Sequence, residues 1–343
     1  MSIIQITALV QSYCGGTRII PTLESCKLQD YPHKDLVIAD DASNDGSTIS
    51  IIDNWLKDNA QYFANVLFIK NSQNLGIVKN YRNAALKAQG DIIIPLGQGD
   101  TYYSRETFSR IANEIEKQRK ENLSDPLVWL GYYKSYEIAP EWKEVNDHLL
   151  AYPVSMSLLE KSPDIALTKL LEGNFIGAPS FVYNKKYFQE GIFPIPNAIK
   201  DLEDYAMSVW MLVEGHRFSY LPLFVRWYEK GTGLSASRNV RYLTSLKKVY
   251  GFVEEITRPY PKLNKLANES RKLNQIRSIN NRIERETKKL FFHLSRIVIH
   301  PIRMGKSRVF SVRKKYFMKV NSPDIIKHIE LQSGKSFDKG FFI

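Results

Sequence analysis

Four short stretches of this 343-residue chain carry side chains able to do chemistry. Glu203-Asp204 places two adjacent carboxylates at the start of a helical pattern, and partial burial of one would give a general base working near neutral pH. Asp40-Asp41, followed by Asp45, closes the short apolar run DLVIA. A carboxylate there can accept a hydrogen bond from a nucleobase N–H, and the turn after it can hold itself by Asx bonds. Asp100 follows Gly97-Gln98-Gly99 at the end of IIIPL, where it could touch a divalent cation if a substrate diphosphate completed the shell. Lys230 opens the loop Lys230-Gly231-Thr232-Gly233-Leu234-Ser235, which could fold backbone N–H groups and one positive charge over phosphates. Each stretch also reads as an ordinary polar turn or solvated helix start; their order along the chain is what gives them weight together.

The elements needed to position them follow from apolar periodicity. Strands are expected at 3–10, 35–39, 66–69 and 91–96, separated by helices over about 17–29, 48–60 and 77–89, with Pro21 in the first turn of the first helix and Ser47 or Asp45 capping the second. Strand, loop and helix repeated in this way imply βαβ units and a mostly parallel sheet, whose ligand edge is the carboxyl end of its strands. A surface helix at 105–120, strands within 125–136 and 180–183, and a helix over 201–215 with acidic residues in its first turn come next. Residues 218–227 read as a strand that Pro222 confines to an edge. Pro261 starts a long helix that Pro301 ends, and basic residues alternate with Phe310, Val312, Tyr316 and Phe317 beyond it.

Charge is unevenly placed. The chain carries a net +12, yet residues 241–343 hold 24 Lys and Arg against 8 Asp and Glu, so the first 240 residues are net negative. The basic amphipathic stretch 287–320 could dock on the body, pair with a second copy or lie on an anionic bilayer. A nucleic-acid role is disfavoured because no recognisable module accompanies the charge. Cys14 and Cys26 show neither metal-ligand spacing nor a disulfide framework and fit a reducing compartment. No basic leader precedes the first apolar run and no apolar stretch is long enough to span a bilayer, which suggests a cytoplasmic protein. A dinucleotide oxidoreductase would carry G-x-G-x-x-G after the first strand, and QSYCGG does not supply it.

Taken in order, LVIADDASNDGST, NSQNLGIVKNYRNAALKAQGDIIIPLGQGD, DLEDYAMSVWMLVEGHRF and WYEKGTGLS resemble an inverting nucleotide-sugar glycosyltransferase of family 2 with the GT-A fold, over about residues 3–240. Asn74, Gly76 and Asn80 resemble most the branch that assembles capsules, O-antigens and related surface polysaccharides. The resemblance implies a GT-A catalytic domain at 1–240, with a nucleotide-sugar half at about 1–103 and an acceptor half at about 104–240, and a helical extension at 241–343 for membrane association or dimerisation. It implies that Asp41 recognises a pyrimidine base beside Tyr13, with Asn74, Lys79, Gln98, Asp100 and Lys230 around the UDP- or dTDP-sugar. Asp204 is implied as the base that deprotonates an acceptor hydroxyl, supported by Glu203, and 173–180 as the lining of a lipid-linked or growing glycan acceptor on the inner face of the membrane.

The sequence departs from the family at one place. Relatives present Asp-x-Asp where this chain has Gly97-Gln98-Gly99, or, with the alignment shifted, Asp100 is the second member of the pair and only the first is lost; either way Asp100 is the sole carboxylate left for Mg²⁺ or Mn²⁺. Three outcomes stay open: weak or unusual metal use, transfer in which Lys230, Lys79 or an arginine replaces the metal, and a subunit that binds nucleotide sugar and assists a partner transferase.

Overall fold

The computed structural model describes residues 3–121, 125–139, 141–145, 159, 161–189, 195–233 and 239–342, with the side chains of 307, 310 and 313–322 not described. Strands β1 (Ile6–Ser12), β2 (Lys34–Asp40), β3 (Val66–Lys70) and β4 (Ile92–Gly97) lie parallel in the order β3-β2-β1-β4. Helices α1 (Ile19–Lys27), α2 (Thr48–Asn59) and α3 (Ile77–Lys87) connect them. The alternation of side chains along these strands explains their nearly continuous apolar sequence. Ile6, Ala8, Val10, Leu36, Ile38, Ile92 and Ile94 point to one face, where α1, α2 and α4 (Thr107–Lys120) cover them. Leu9, Val37, Ala39 and Ile93 point to the other, against α3 and the second half of the chain.

Beyond β4 the sheet continues through β8 (Phe181–Asn184), antiparallel to both β4 and β6 (Val128–Glu137), and then β9 (Phe218–Glu229), parallel to β6. The two-residue β5 (Thr101–Tyr102) finishes this edge, and β7 (Lys143–Val145) pairs with β6. Pro222 does not confine β9 to an edge position. It sits where the β6–β9 register skips between Leu130 and Tyr132, and β5 covers the other side of β9 only at Arg226 and Trp227. A bulge and an open flank remove the need for an N–H at 222. Helices α5 (Pro163–Glu172) and α6 (Glu203–Val213) pack on the face shared with α3. Most of the irregular segment expected at 137–165 lies outside the described residues.

The last third departs further from the sequence reading. The expected long helix is two, α8 (Pro261–Arg277) and α9 (Arg282–Ile299), preceded by α7 (Val240–Thr257) and broken at 278–281. Pro301 opens a new helix, α10 (Pro301–Ser333), because its missing N–H is no loss in a first turn. This extension runs out and returns. Ser333 Oγ accepts the Phe224 N–H at 2.7 Å, the Phe337 N–H reaches Tyr103 O at 3.0 Å, and Trp227 Nε1 donates to Ser336 Oγ at 2.9 Å. Phe342, 4% exposed, packs its ring 4.7 Å from Tyr136 and 5.8 Å from Trp227, centroid to centroid. Residues 325–342 therefore belong to the body of the molecule, whereas α9 buries none of its side chains. No helix among the described residues is long and apolar enough to cross a membrane.

Candidate active site

The register of the parallel strands brings Ser12 beside Asp40 and Gln11 beside Gly97, so the loops after β1, β2 and β4 meet at one edge. Side chains then stitch them together. The Gln98 amide pairs with the backbone of Tyr13, donating to its carbonyl at 2.8 Å and accepting its N–H at 3.0 Å. Asp40 accepts the Ser43 N–H at 2.8 Å and the Ser43 hydroxyl at 2.6 Å, and Ser43 Oγ accepts the Cys14 N–H. Asp45, rather than Ser47, caps α2, accepting from Thr48 N at 3.0 Å and Thr48 Oγ1 at 2.5 Å. Three residues other than glycine have positive φ among those described: Cys14 (47°), Ala42 (65°) and Leu202 (64°). All three lie at this edge or just before Glu203, and each costs on the order of 1–2 kcal/mol, strain held where the cleft forms.

Asp41 is buried and already engaged. Its carboxylate accepts the N–H groups of Leu75 at 2.7 Å and Gly76 at 2.9 Å. It thereby draws the loop before α3 onto the end of β2. Asn80 reinforces this, donating to Ala39 O at 3.0 Å and accepting from Asn71 at 2.8 Å. Gly76 has φ +85°, and a Cβ there would lie 2.9 Å from Lys200 Cβ, so glycine lets the segment before α6 dock against the parallel half of the sheet. The Val78 N–H bonds Lys200 O at 3.0 Å across that junction. Of the N-x-G-x-x-x-N residues, two are structural braces, while Asn74 is exposed, as is Lys79, and neither borders the central cavity. Tyr13 stands half exposed at the rim, held through Gln98.

That cavity, about 660 Å³, lies between the two halves. Gln11, Gln98, Asp100, Glu203, Asp204, Arg226, Glu229 and Lys230 are among the residues that line it. Gly177–Pro179, within the stretch expected to line an acceptor, also borders it. Glu203 and Asp204 occupy the first turn of α6. Burial, then repulsion from Asp204, pushes Glu203 up to about 7. Burial also raises Asp204, against hydrogen bonds that include Asn174 Nδ2 at 3.5 Å. Two residues earlier, the buried Asp201 receives a bidentate pair from Arg241 of α7 (2.7 and 3.0 Å) and the Ser245 hydroxyl at 3.1 Å. The C-terminal extension thus anchors the segment that presents the two carboxylates.

At the end of β4, Asp100 is 8% exposed and accepts the Glu229 N–H at 2.9 Å. Burial pushes it up to about 7 in spite of the nearby Arg226 guanidinium. Arg226, 3% exposed, donates Nη2 to Phe181 O at 3.0 Å, and its Nε has no partner among the described residues. Glu229, 5% exposed, pairs with Arg18 at 2.8 Å. Lys230 borders the cavity and donates its backbone N–H to Tyr136 O at 2.8 Å; Leu234 and Ser235 of its loop lie outside the described residues. Sequence reasoning missed Arg18, Arg226 and Glu229. None sits in a local pattern, and they converge only because β9 returns beside the end of β4.

A single mixed sheet with a parallel half, a cavity at its carboxyl edge and paired carboxylates lining that cavity fit the GT-A fold. Residues 8–147 of the 343 match the family model "Glycosyl transferase family 2". The fold is similar to that of S. aureus TarS 1–349 in complex with UDP (TM-score 0.54, 16% identity, covering 78% of this chain and 70% of that one). It is also similar to the mannosyltransferase PcManGT from Pyrobaculum calidifontis in complex with GDP-Man and Mn²⁺ (TM-score 0.52, 16% identity, covering 94% and 87%). A TarS 1–349 complex with UDP-GlcNAc matches at TM-score 0.52 and 17% identity, over 73% of this chain and 66% of that one. A further S. aureus TarS structure is matched over 39% of that chain and 74% of this one (TM-score 0.50, 17% identity). A comparison with curated protein sequences gives no significant match.

The residues at the end of β4 do not fit a resident divalent cation. Gly97 and Gly99 offer no carboxylate, Asp100 is buried and drawn toward its neutral form, and Glu229 is already paired. Among the described residues no group of three His, Cys, Asp or Glu side chains is arranged to hold a metal.

Proposed function

We propose that this chain is an inverting transferase that moves a sugar from a UDP- or dTDP-sugar to a hydroxyl of a lipid-linked or growing surface glycan, with Asp204 as general base. The observation that carries the reading is the Glu203–Asp204 pair, presented by a strained Leu202 across one cavity from the strand-end loops. The acceptor hydroxyl attacks the anomeric carbon opposite the diphosphate. A new C–O bond forms, the bond to the phosphate oxygen breaks, the hydroxyl proton passes to Asp204 and the nucleoside diphosphate leaves with the electron pair. Glu203, pushed up to about 7 by burial and by Asp204, supports the base and changes its charge within the working pH range. Tyr13, Gln98 and the loop that Asp41 organises form the donor side; Gly177–Pro179 forms the acceptor side.

A second element of the reading is location. Helix α9 exposes Ile283, Leu290, Phe291, Leu294, Ile297 and Val298, with the exposed cations Arg282 and Lys288 nearby. An apolar face with basic neighbours suits an anionic bilayer surface, where a lipid-linked acceptor would reside. Dimerisation through this face is the alternative, and the aggregation state in solution separates the two. The deciding experiment incubates the protein with a panel of nucleotide sugars and membrane-extracted acceptor, following release of nucleoside diphosphate and the anomeric configuration of the product by NMR. Retention of configuration would refute the mechanism. Donor binding without release, across the panel and with a candidate partner transferase restoring transfer, would favour an assisting subunit, the reading that Gly97 and Gly99 support.

A further inference from the structure

Gly99 occupies the place where the family's second carboxylate is expected, and its space is already filled. Its φ is +93°, and a Cβ built on it would lie 1.8 Å from Glu229 Oε2 and 3.1 Å from Arg18 Nη2. A side chain of any kind at 99 would therefore collide with the Arg18–Glu229 pair. The two partners are unequally placed: the Glu229 side chain is 4% exposed, that of Arg18 40%. Glu229 is thus the fixed member, and the guanidinium it holds stands at the strand-end surface with donors to spare, since arginine carries five N–H groups in a planar fork. The Glu229 N–H in turn holds Asp100, so the carboxylate that remains from the family's pattern is tied into the same arrangement. A second arginine, Arg226, borders the cavity nearly fully buried, with its Nε lacking a partner among the described residues. Such an orphaned cationic donor is expensive unless an acceptor arrives. Arg226 and Lys230 line the cavity, and Arg18, itself outside the lining, is bonded to the lining residue Glu229; with Asp100 tied to the Glu229 N–H, this corner is more inviting to an anion than to a divalent cation.

We propose that Arg18, fixed by Glu229 in the space that Gly99 vacates, supplies the positive charge that binds the diphosphate of the donor, so that this chain takes its nucleotide sugar without a divalent cation. The inference rests on the transferase reading above and deepens it. The guanidinium fork suits two phosphate oxygens, and its charge persists at every physiological pH. Glu229 is a positioning residue in this scheme and touches no substrate.

The test is calorimetric titration of the full chain with UDP, dTDP and GDP, each in EDTA and in Mn²⁺, and with Mn²⁺ alone. The expected result is binding of at least one diphosphate with affinities in EDTA and Mn²⁺ that agree within about twofold. Arg18→Gln should weaken that diphosphate by roughly tenfold or more, the loss of one charge-assisted contact. It should weaken the matching nucleoside monophosphate far less. Arg18→Gln should also make binding respond to Mn²⁺, because Glu229 then lacks its cation. Arg18→Lys should recover part of the loss, and a melting point lowered by no more than a few degrees in both variants, the cost of leaving Glu229 without its arginine, separates a binding effect from misfolding. Diphosphate binding that EDTA abolishes in the wild type would overturn the inference and leave the transferase reading intact, as would wild-type affinity in Arg18→Gln. Failure of every nucleotide to bind in either condition would overturn both.

Discussion

Glu203→Gln and Asp204→Asn together decide which carboxylate takes the acceptor's proton. Glu203 is pushed up to about 7, with burial as the larger cause and Asp204 the smaller. At pH 6 roughly nine molecules in ten therefore carry protonated Glu203, and glutamine reproduces that state in size and charge. With Asp204 as base, Glu203→Gln should retain turnover within about threefold of wild type at pH 6. At pH 8 the wild type gains a second negative charge that raises the basicity of Asp204, and the variant does not. The wild-type rate should therefore rise between pH 6 and 8, and this rise should be flattened in Glu203→Gln. Asp204→Asn should lose on the order of 10²–10⁴ in turnover at every pH, the usual contribution of a positioned base, while keeping donor affinity within twofold. Steady-state rates of nucleotide release from pH 5.5 to 8.5, with donor binding measured in parallel, provide the assay. If Glu203→Gln is as inactive as Asp204→Asn at pH 6, the base is Glu203 and the assignment is wrong. Wild-type-like turnover in Asp204→Asn would refute the role of Asp204 outright.

Other perturbations probe the supports. Arg241→Met leaves the 1%-exposed Asp201 with only the Ser245 hydroxyl; because Arg241 is partly exposed and water can replace it, the expected loss is about 2 kcal/mol, below the usual range for a broken buried pair. Thermal melting should fall by a few degrees and turnover should fall with it, and an unchanged melt would show that the clasp does not anchor α6. Asp41→Ala strips acceptors from the Leu75 and Gly76 N–H groups, at roughly 1–3 kcal/mol each, and should weaken nucleotide binding in calorimetry as the loop before α3 loosens. Phe342→Ala removes a buried ring from the Tyr136–Trp227 cluster and should cost about 3–5 kcal/mol in denaturant titration, with tail release seen as faster proteolysis after residue 333. Phe291→Glu with Leu294→Glu should leave melting unchanged, because both side chains are exposed, and should abolish sedimentation with vesicles containing anionic lipid.

The parallel half of the sheet was legible because its signals are local. Apolar runs of strand length ending in polar loops, each followed by a period near four, fix β1 to β4 and their helices, and the observed limits lie within about three residues of those expected. The C-terminal third was misjudged where local pattern is ambiguous. Leu266, Leu273 and Ile276 continue in step with Ile283 and Leu290 as though one helix ran through them, yet Ser278–Asn281 breaks it and Asn281 caps the next through the Glu284 N–H. Pro301 carries the same chemistry at a helix start as after a helix end, so its sequence could not choose between them. The return of Phe342 to a cluster on β6 and β9 had no local signature at all.

The site divides along the same line. Asp204, Glu203, Asp100, Gln98 and Lys230 were legible as residues and do border one cavity, because strand ends and a helix start converge in any fold of this topology. What each carboxylate does was less legible. Asp41 reads as a free acceptor at a strand end, and it serves first to hold two backbone N–H groups more than thirty residues away. Gly99 reads as a loss, and its meaning lies in residues distant in sequence. A carboxylate on the loop would point outward from its own backbone; here one enters from β9, already matched with a guanidinium from the turn before α1. The absent side chain at 99 leaves room for that pair, and restoring it would require the Glu229 carboxylate to shift and Arg18 to give way with it. Gly99, Glu229 and Arg18 are therefore one structural choice made at three points of the chain, and a substitution at any one of them has to be judged against the other two.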